Sequence, residues 1–170
     1  PVIELMTMLR QGSIDLFVGA LAIERPPEDV VATIIREERL SVICGPKHPL
    51  AKSRKLNPNQ LEKYPWLLTP VDTELRRQAD AAFMALGLSN VEVAIETVAM
   101  SALVPILTQG DYLSIHSKFL LAPDIKAGKL AALPEPLPGA GRSLAVFHRP
   151  VSELTPLTQS FIDHLLDFVK

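Results

Sequence analysis

Residues 96–117, ETVAMSALVPILTQGDYLSIHS, decide the fold class. The run VEVAIET that leads into them alternates apolar and polar residues and ends polar, as a half-buried strand does. SALVPILTQGD then reads as a helix, and YLSIHS as a second strand closing on polar residues. A strand, a helix and a strand in so short a span argue for an α/β architecture with a parallel sheet and right-handed crossovers. The helix start matters. Beginning at Thr97 would put Pro105 in the helix interior and kink it, whereas a start near Met100 or Ser101 keeps the proline in the first turn. Such a start aims unpaired N–H groups and a positive dipole end beyond the strand, which suits an anionic ligand. Alternatively, Ser101 is a plain N-cap or a mid-helix serine.

The same alternation extends outward on both sides. Val2, Leu5, Met6 and Leu9 form one apolar helix face that ends before Gly12, and IDLFVG is a short buried strand. ERPPED is a loop, because prolines offer a ladder no donor. VVATIIREERLSVICGP reads as two extended stretches, the second (Leu40 to Cys44) stopped by Gly45-Pro46, and KHPLAKSRK as a charged surface loop. Asn57 suits an N-cap and Pro58 the first helical position after it. WLLTP is another buried strand, after which Asp72 or Thr73 caps a helix from Glu74 to Leu86 that Gly87 closes. AGKLAALPEPLPGAG holds a short strand and a proline-glycine crossing, and SLAVFHR one more strand. Thr155-Pro156 opens the last helix, with Leu157, Phe161, Leu165 and Phe168 as its inward stripe.

Composition removes several function classes. Apolar residues make up 48% of the chain, charged residues 21%, and the formal net charge is -2, so no basic face exists to grip nucleic acid through phosphates. The single cysteine, Cys44, excludes an internal disulfide framework and reads as a buried inert thiol. No run is long and apolar enough to span a membrane. The start PVIELMTMLRQG lacks a signal-peptide pattern and reads as a helix already under way, as in a chain whose N-terminal part is missing. P-loop, dinucleotide, zinc-protease and serine-hydrolase signatures are absent, and Gly139-Ala140-Gly141 has no strand–helix context. The four histidines show no ligand spacing, so no metal is expected. His48 reads as solvated, and His148 and His164 as packing or surface residues.

In open α/β sheets ligands bind beyond the carboxyl ends of strands. Three such ends are Gly19-Ala20, Thr69-Pro70 and His116-Ser117. His116 is either a structural imidazole or a ligand contact. A Ser117–His116 nucleophile is disfavoured, because neighbours on a strand point to opposite faces. No catalytic constellation emerges, and the chain is not expected to be an enzyme.

LRQGSIDLFVG, EERLSVICGPKHPLA, YPWLLTPVDTELRRQADAAFMALGL, ETVAMSALVPILTQGDYLSIHSKFL and AGKLAALPEPLP together resemble the regulatory domain of LysR-type transcriptional regulators, over essentially the whole chain. The resemblance implies two Rossmann-like α/β lobes with mixed, mostly parallel sheets joined by two crossover strands, as in type 2 periplasmic binding proteins. Lobe I would be residues 1–64 plus 144–170, its first strand–helix–strand lying outside this chain, and lobe II residues 65–143, with crossings near Tyr64-Trp66 and Gly141-Leu144. A small effector would bind in the cleft between them. Its contacts would come from Gly19, Ala20 and Leu21, from Thr69, Pro70, Asp72 and Thr73, and from Met100, Ser101, His116 and Ser117. The implied protein is a cytoplasmic regulator. It binds DNA only through an N-terminal helix-turn-helix outside this chain, self-associates as dimers and tetramers, and uses no cofactor. A solute-binding protein of a transporter with the same fold is the alternative. With Arg76 and His116 as cationic partners the effector is expected to be a small organic acid, with a neutral sugar-like molecule as the alternative.

Overall fold

A computed structural model describes residues 2–21, 26–55 and 57–168. Glu24 and Arg25 of the expected loop lie outside them, and so does the side chain of Val2. In chain order the elements are α1 (Val2–Arg10), β1 (Leu16–Ala20), β2 (Val31–Cys44), α2 (Pro58–Leu61), β3 (Trp66–Leu68), α3 (Glu74–Leu86), β4 (Val93–Glu96), α4 (Met100–Gln109), β5 (Leu113–Ser117), α5 (Ala122–Lys126), β6 (Ala131–His148) and α6 (Pro156–Phe168). A single 3-10 turn at Val151–Glu153 precedes α6.

The chain divides into two compact units, Pro1–Glu38 with Arg142–Lys170, and Arg39–Gly141. The first passage therefore falls between Glu38 and Arg39, not near Tyr64-Trp66. The reason is pairing: Leu40–Cys44 lies antiparallel to Leu113–Ser117. Leu40, Val42 and Cys44 consequently join the core of the second unit with Trp66, Leu68 and Phe83. Where two extended stretches were expected, β2 runs unbroken for 14 residues. Likewise β6 continues for 18 residues through the proline-glycine stretch.

In the first unit β1 pairs antiparallel with Leu144–His148 of β6. Phe17 stacks on Phe147 with ring centroids 4.6 Å apart, and both pack with Met6 and Leu9 of α1. Arg149 ties the end of α1 to this sheet: its guanidinium donates to the carbonyls of Leu9 and Ile14 at 2.8 and 2.9 Å and pairs with Asp15 at 2.9 Å. Within the first unit, Arg142 of β6 pairs with buried Glu38 of β2 at 2.9 Å. The expected inward stripe of α6 is turned outward. Leu157, Phe161 and Phe168 are exposed, while Thr158 and Ile162 are buried. Thr158 tolerates burial because its hydroxyl bonds Thr155 Oγ1 at 2.8 Å, so it forms the inner face with Ile162 one turn on.

In the second unit β2 lies beside β5, β5 beside β3 and β3 beside β4. The sheet is mixed rather than mostly parallel: β3 is parallel to β4 and to β5, whereas β2–β5 and β1–β6 are antiparallel. β2 and β6 enter and leave this unit without a helical crossover, so nothing imposes the parallel sense on them. Gly45 closes β2 against α4 so tightly that a Cβ there would sit 2.1 Å from the carbonyl oxygen of Leu107. Cys44 is fully buried and its thiol is pushed up to about 11 by that burial. His48 is not solvated. It is buried, accepts the Leu50 N–H through Nδ1 at 3.0 Å, and tilts against Tyr64 at 4.5 Å. Burial lowers its pKa, opposed in part by Asp111.

Candidate functional site

The parallel part of the second unit brings two strand ends and two helix starts together. Leu68 pairs with Glu96, and the Thr97 N–H donates to the Leu68 carbonyl at 3.0 Å, so β3 and β4 finish side by side. β3 delivers Thr69 and Pro70, and the chain turns at once into α3. Thr73 is the N-cap of α3: its Oγ1 accepts from Arg76 N at 3.2 Å, while Gly87 ends the helix at φ 71. The same hydroxyl donates to the Pro70 carbonyl at 2.7 Å and touches Thr69 Oγ1 at 2.7 Å. Asp72 is exposed and takes no part in these bonds.

Arg76 clamps the cluster. Its side chain is only 12% exposed; Nη1 donates to the Thr69 carbonyl at 3.2 Å and to Glu96 at 2.6 Å, and Nε donates to Asp80 at 3.0 Å. Burial by itself would lower the guanidinium pKa, yet Glu96 and Asp80 hold it above its ordinary value. Arg76 is therefore permanently charged, and two carboxylates already face that charge. The Arg76–Asp80 pair is legible as an i,i+4 spacing. The Glu96 contact is not, because it depends on β4 aligning beside β3.

After Glu96 the chain reaches α4. Its N-cap is Ala99, without a side-chain bond, and Thr97 Oγ1 instead accepts the Ala99 N–H at 3.0 Å. Ser101 is therefore not the cap but an exposed residue of the first turn, next to half-exposed Met100. Pro105 lies inside α4 rather than in its first turn. A proline has no N–H to give the Ser101 carbonyl, so α4 runs on without that bond.

His116 and Ser117 are both buried at the end of β5. Ser117 Oγ accepts the N–H of Phe119 at 3.1 Å and of Leu120 at 3.4 Å, so it shapes the turn that follows. The remaining expected residues belong to the first unit. Gly19 and Ala20 pair with Ala145 and Leu144, and the Leu21 N–H donates to the Ser143 carbonyl at 2.7 Å. Among the described residues no group of three or more His, Cys, Asp or Glu side chains is arranged to hold a metal. No helix among them is long and apolar enough to cross a membrane.

The family described as the LysR substrate binding domain matches residues 2–170. The chain belongs to that family. Among its curated relatives is the HTH-type transcriptional regulator GalR of Pseudomonas putida, 29% identical over 145 residues that cover 85% of this chain and 36% of the regulator. This LysR substrate-binding domain thus spans about a third of that relative's length. Its fold recurs among solved structures. The regulatory domain of Synechocystis CcmR, in complex with 2-PG, has a TM-score of 0.76 at 20% identity, covering 98% of this chain and 79% of that one. The effector-binding domain of QuiR, in complex with shikimate, has a TM-score of 0.75 at 18% identity, covering 97% and 76%.

Proposed function

We propose that this LysR substrate-binding domain is the sensing part of a DNA-binding transcriptional regulator, and that it binds a small-molecule effector at the ends of β3 and β4. The observation that carries this is the polar cluster at Thr69, Thr73, Arg76 and Glu96, where two parallel strands end together beside the starts of α3 and α4. Ligands of open α/β sheets lodge at such carboxyl ends. The match to the family model over residues 2–170 supports a regulatory role over the transporter-associated solute-binding alternative, as does the naming of a curated relative as a transcriptional regulator. Met100, Ser101, His116 and Ser117 of the same unit complete the set proposed to contact the effector there. That effector is proposed to be a small organic acid, as 2-PG and shikimate are bound by the structural neighbours.

In the whole protein, DNA contact is assigned to an N-terminal helix-turn-helix, with dimers or tetramers in the cytoplasm. The two compact units serve as the two lobes. We assign a further strand–helix–strand to the first of them, because it leaves Val18, Leu157, Phe161 and Phe168 exposed. An effector that prefers one arrangement of the protein shifts its population by that difference in affinity. A thermal-shift screen of metabolites tests the site. An effector at a hundred times its dissociation constant stabilises by about 2.7 kcal/mol. Thr69→Val and Ser101→Ala are expected to remove that shift, and its persistence in both variants would place the effector elsewhere.

A further inference from the structure

We infer that Thr69 Oγ1 is an acceptor-only group, so that the effector must present a hydroxyl or another neutral hydrogen-bond donor to the end of β3, and not a carboxylate oxygen. This rests on the proposal that the cluster is the effector site, and it specifies which chemical group meets it.

The inference follows from proton counting. A threonine hydroxyl has one proton and two lone pairs. Thr73 Oγ1 gives its proton to the Pro70 carbonyl at 2.7 Å and receives the Arg76 N–H at 3.2 Å. One lone pair remains, and Thr69 Oγ1 stands 2.7 Å away. The contact is satisfied only if Thr69 donates into it, which saturates Thr73 and points the Thr69 proton into its own turn. What Thr69 offers outward is two lone pairs.

Charge leads to the same selectivity. The Arg76 guanidinium already faces Glu96 and Asp80, so its charge is engaged by two carboxylates before any ligand arrives. A carboxylate placed at Thr69 would set lone pairs against lone pairs beside two carboxylates, and Thr69 itself would give it no bond to offset its desolvation. A hydroxyl would donate without penalty. The effector class is therefore a hydroxylated small molecule. If it is an acid, its hydroxyl lies at Thr69 and its carboxylate elsewhere.

Neutron diffraction from deuterium-exchanged crystals of this chain tests the proton arrangement with no ligand present. The Thr73 deuteron is expected on the Pro70 side and the Thr69 deuteron on the Thr73 side; a Thr69 deuteron directed away from Thr73 overturns the inference. Calorimetric titration with 3-hydroxypropionate, malonate and propionate then tests selectivity, because these differ only in ending on a hydroxymethyl, a carboxylate or a methyl group. Wild type is expected to prefer 3-hydroxypropionate by at least about tenfold. Thr69→Val should erase that preference and Thr73→Ser should keep it. Thr73→Val, which frees the Thr69 proton, should narrow the gap to malonate, with unfolding curves confirming that the variant is folded. Malonate binding as tightly as 3-hydroxypropionate overturns the polarity. A preference that survives Thr69→Val, or silence of all three probes at millimolar concentration, overturns the placement of the site while the neutron result still decides the protons.

Discussion

The two units bury their apolar residues very differently. The second gathers two clusters, one around Leu40, Trp66 and Phe83 and another around Ile43, Leu103 and Leu107. Among the described residues the first, although smaller, leaves nine large hydrophobic residues exposed against six in the second, and closes one cluster, around Leu9, Phe17 and Phe147. Its outward residues are grouped. Leu157 and Phe161 of α6 line an apolar groove of about 380 Å³ with Leu16 of β1, and Val18 on the same strand is also exposed. Contiguous exposed apolar surface marks a place where something binds. The second unit buries most of its large apolar side chains, and the first leaves a group of them exposed.

The largest expected effect lies in the second unit. Trp66 is wholly buried, meets Phe83 edge-on at 4.8 Å and donates to the Leu61 carbonyl at 3.3 Å. Trp66→Ala should cost about 3–5 kcal/mol in denaturant unfolding; a cost near zero would mean that this core is not the stabilising one. Next comes the anchor of the first unit. Arg149→Met removes the donors to Leu9 and Ile14 and should cost about 2 kcal/mol. If stability is unchanged, α1 is held by packing alone.

A smaller effect depends on pH. Because the folded state lowers the His48 pKa, it binds a proton less readily than the unfolded chain does. The resulting stability is present above about 6.5 and is lost as pH falls below that value. The thermal midpoint of wild type should therefore drop between about pH 6.5 and the carboxylate range, and His48→Gln should flatten that drop. Equal slopes would remove His48 from the balance. The smallest effect sharpens the contrast between the units. Leu157→Ser and Phe161→Ser, both at exposed positions, should change the stability of this chain by no more than about 0.5 kcal/mol while reducing its binding of an apolar dye. A cost like that of a core residue would show that the face is already covered.

Local chemistry was legible wherever the deciding groups are close in sequence. Thr73 and Gly87 bracket α3, and Asn57 and Pro58 open α2, as their side chains and φ preferences dictate. The strand ends at Thr69 and Ser117 were legible too. What escaped depends on distant partners. Spacing alone turns the apolar stripe of α6 inward, but Thr158, its hydroxyl bonded to Thr155, takes the inner side with Ile162. Pro105 was expected to limit the start of α4, yet the helix tolerates it six residues in. Glu96 joined the candidate site only because β4 aligns with β3, and periodicity carries no information on register between strands.

Gly45 has a consequence for anyone mapping this domain by saturation mutagenesis. Its backbone does not need a left-handed angle, so alanine would look harmless on conformational grounds, yet the Leu107 carbonyl occupies the space that a methyl group requires. The position should score as strongly intolerant because of packing alone. Sensitivity there would report crowding between a strand and a helix, and a map of essential positions would overstate the sensory surface unless Gly45 were set aside.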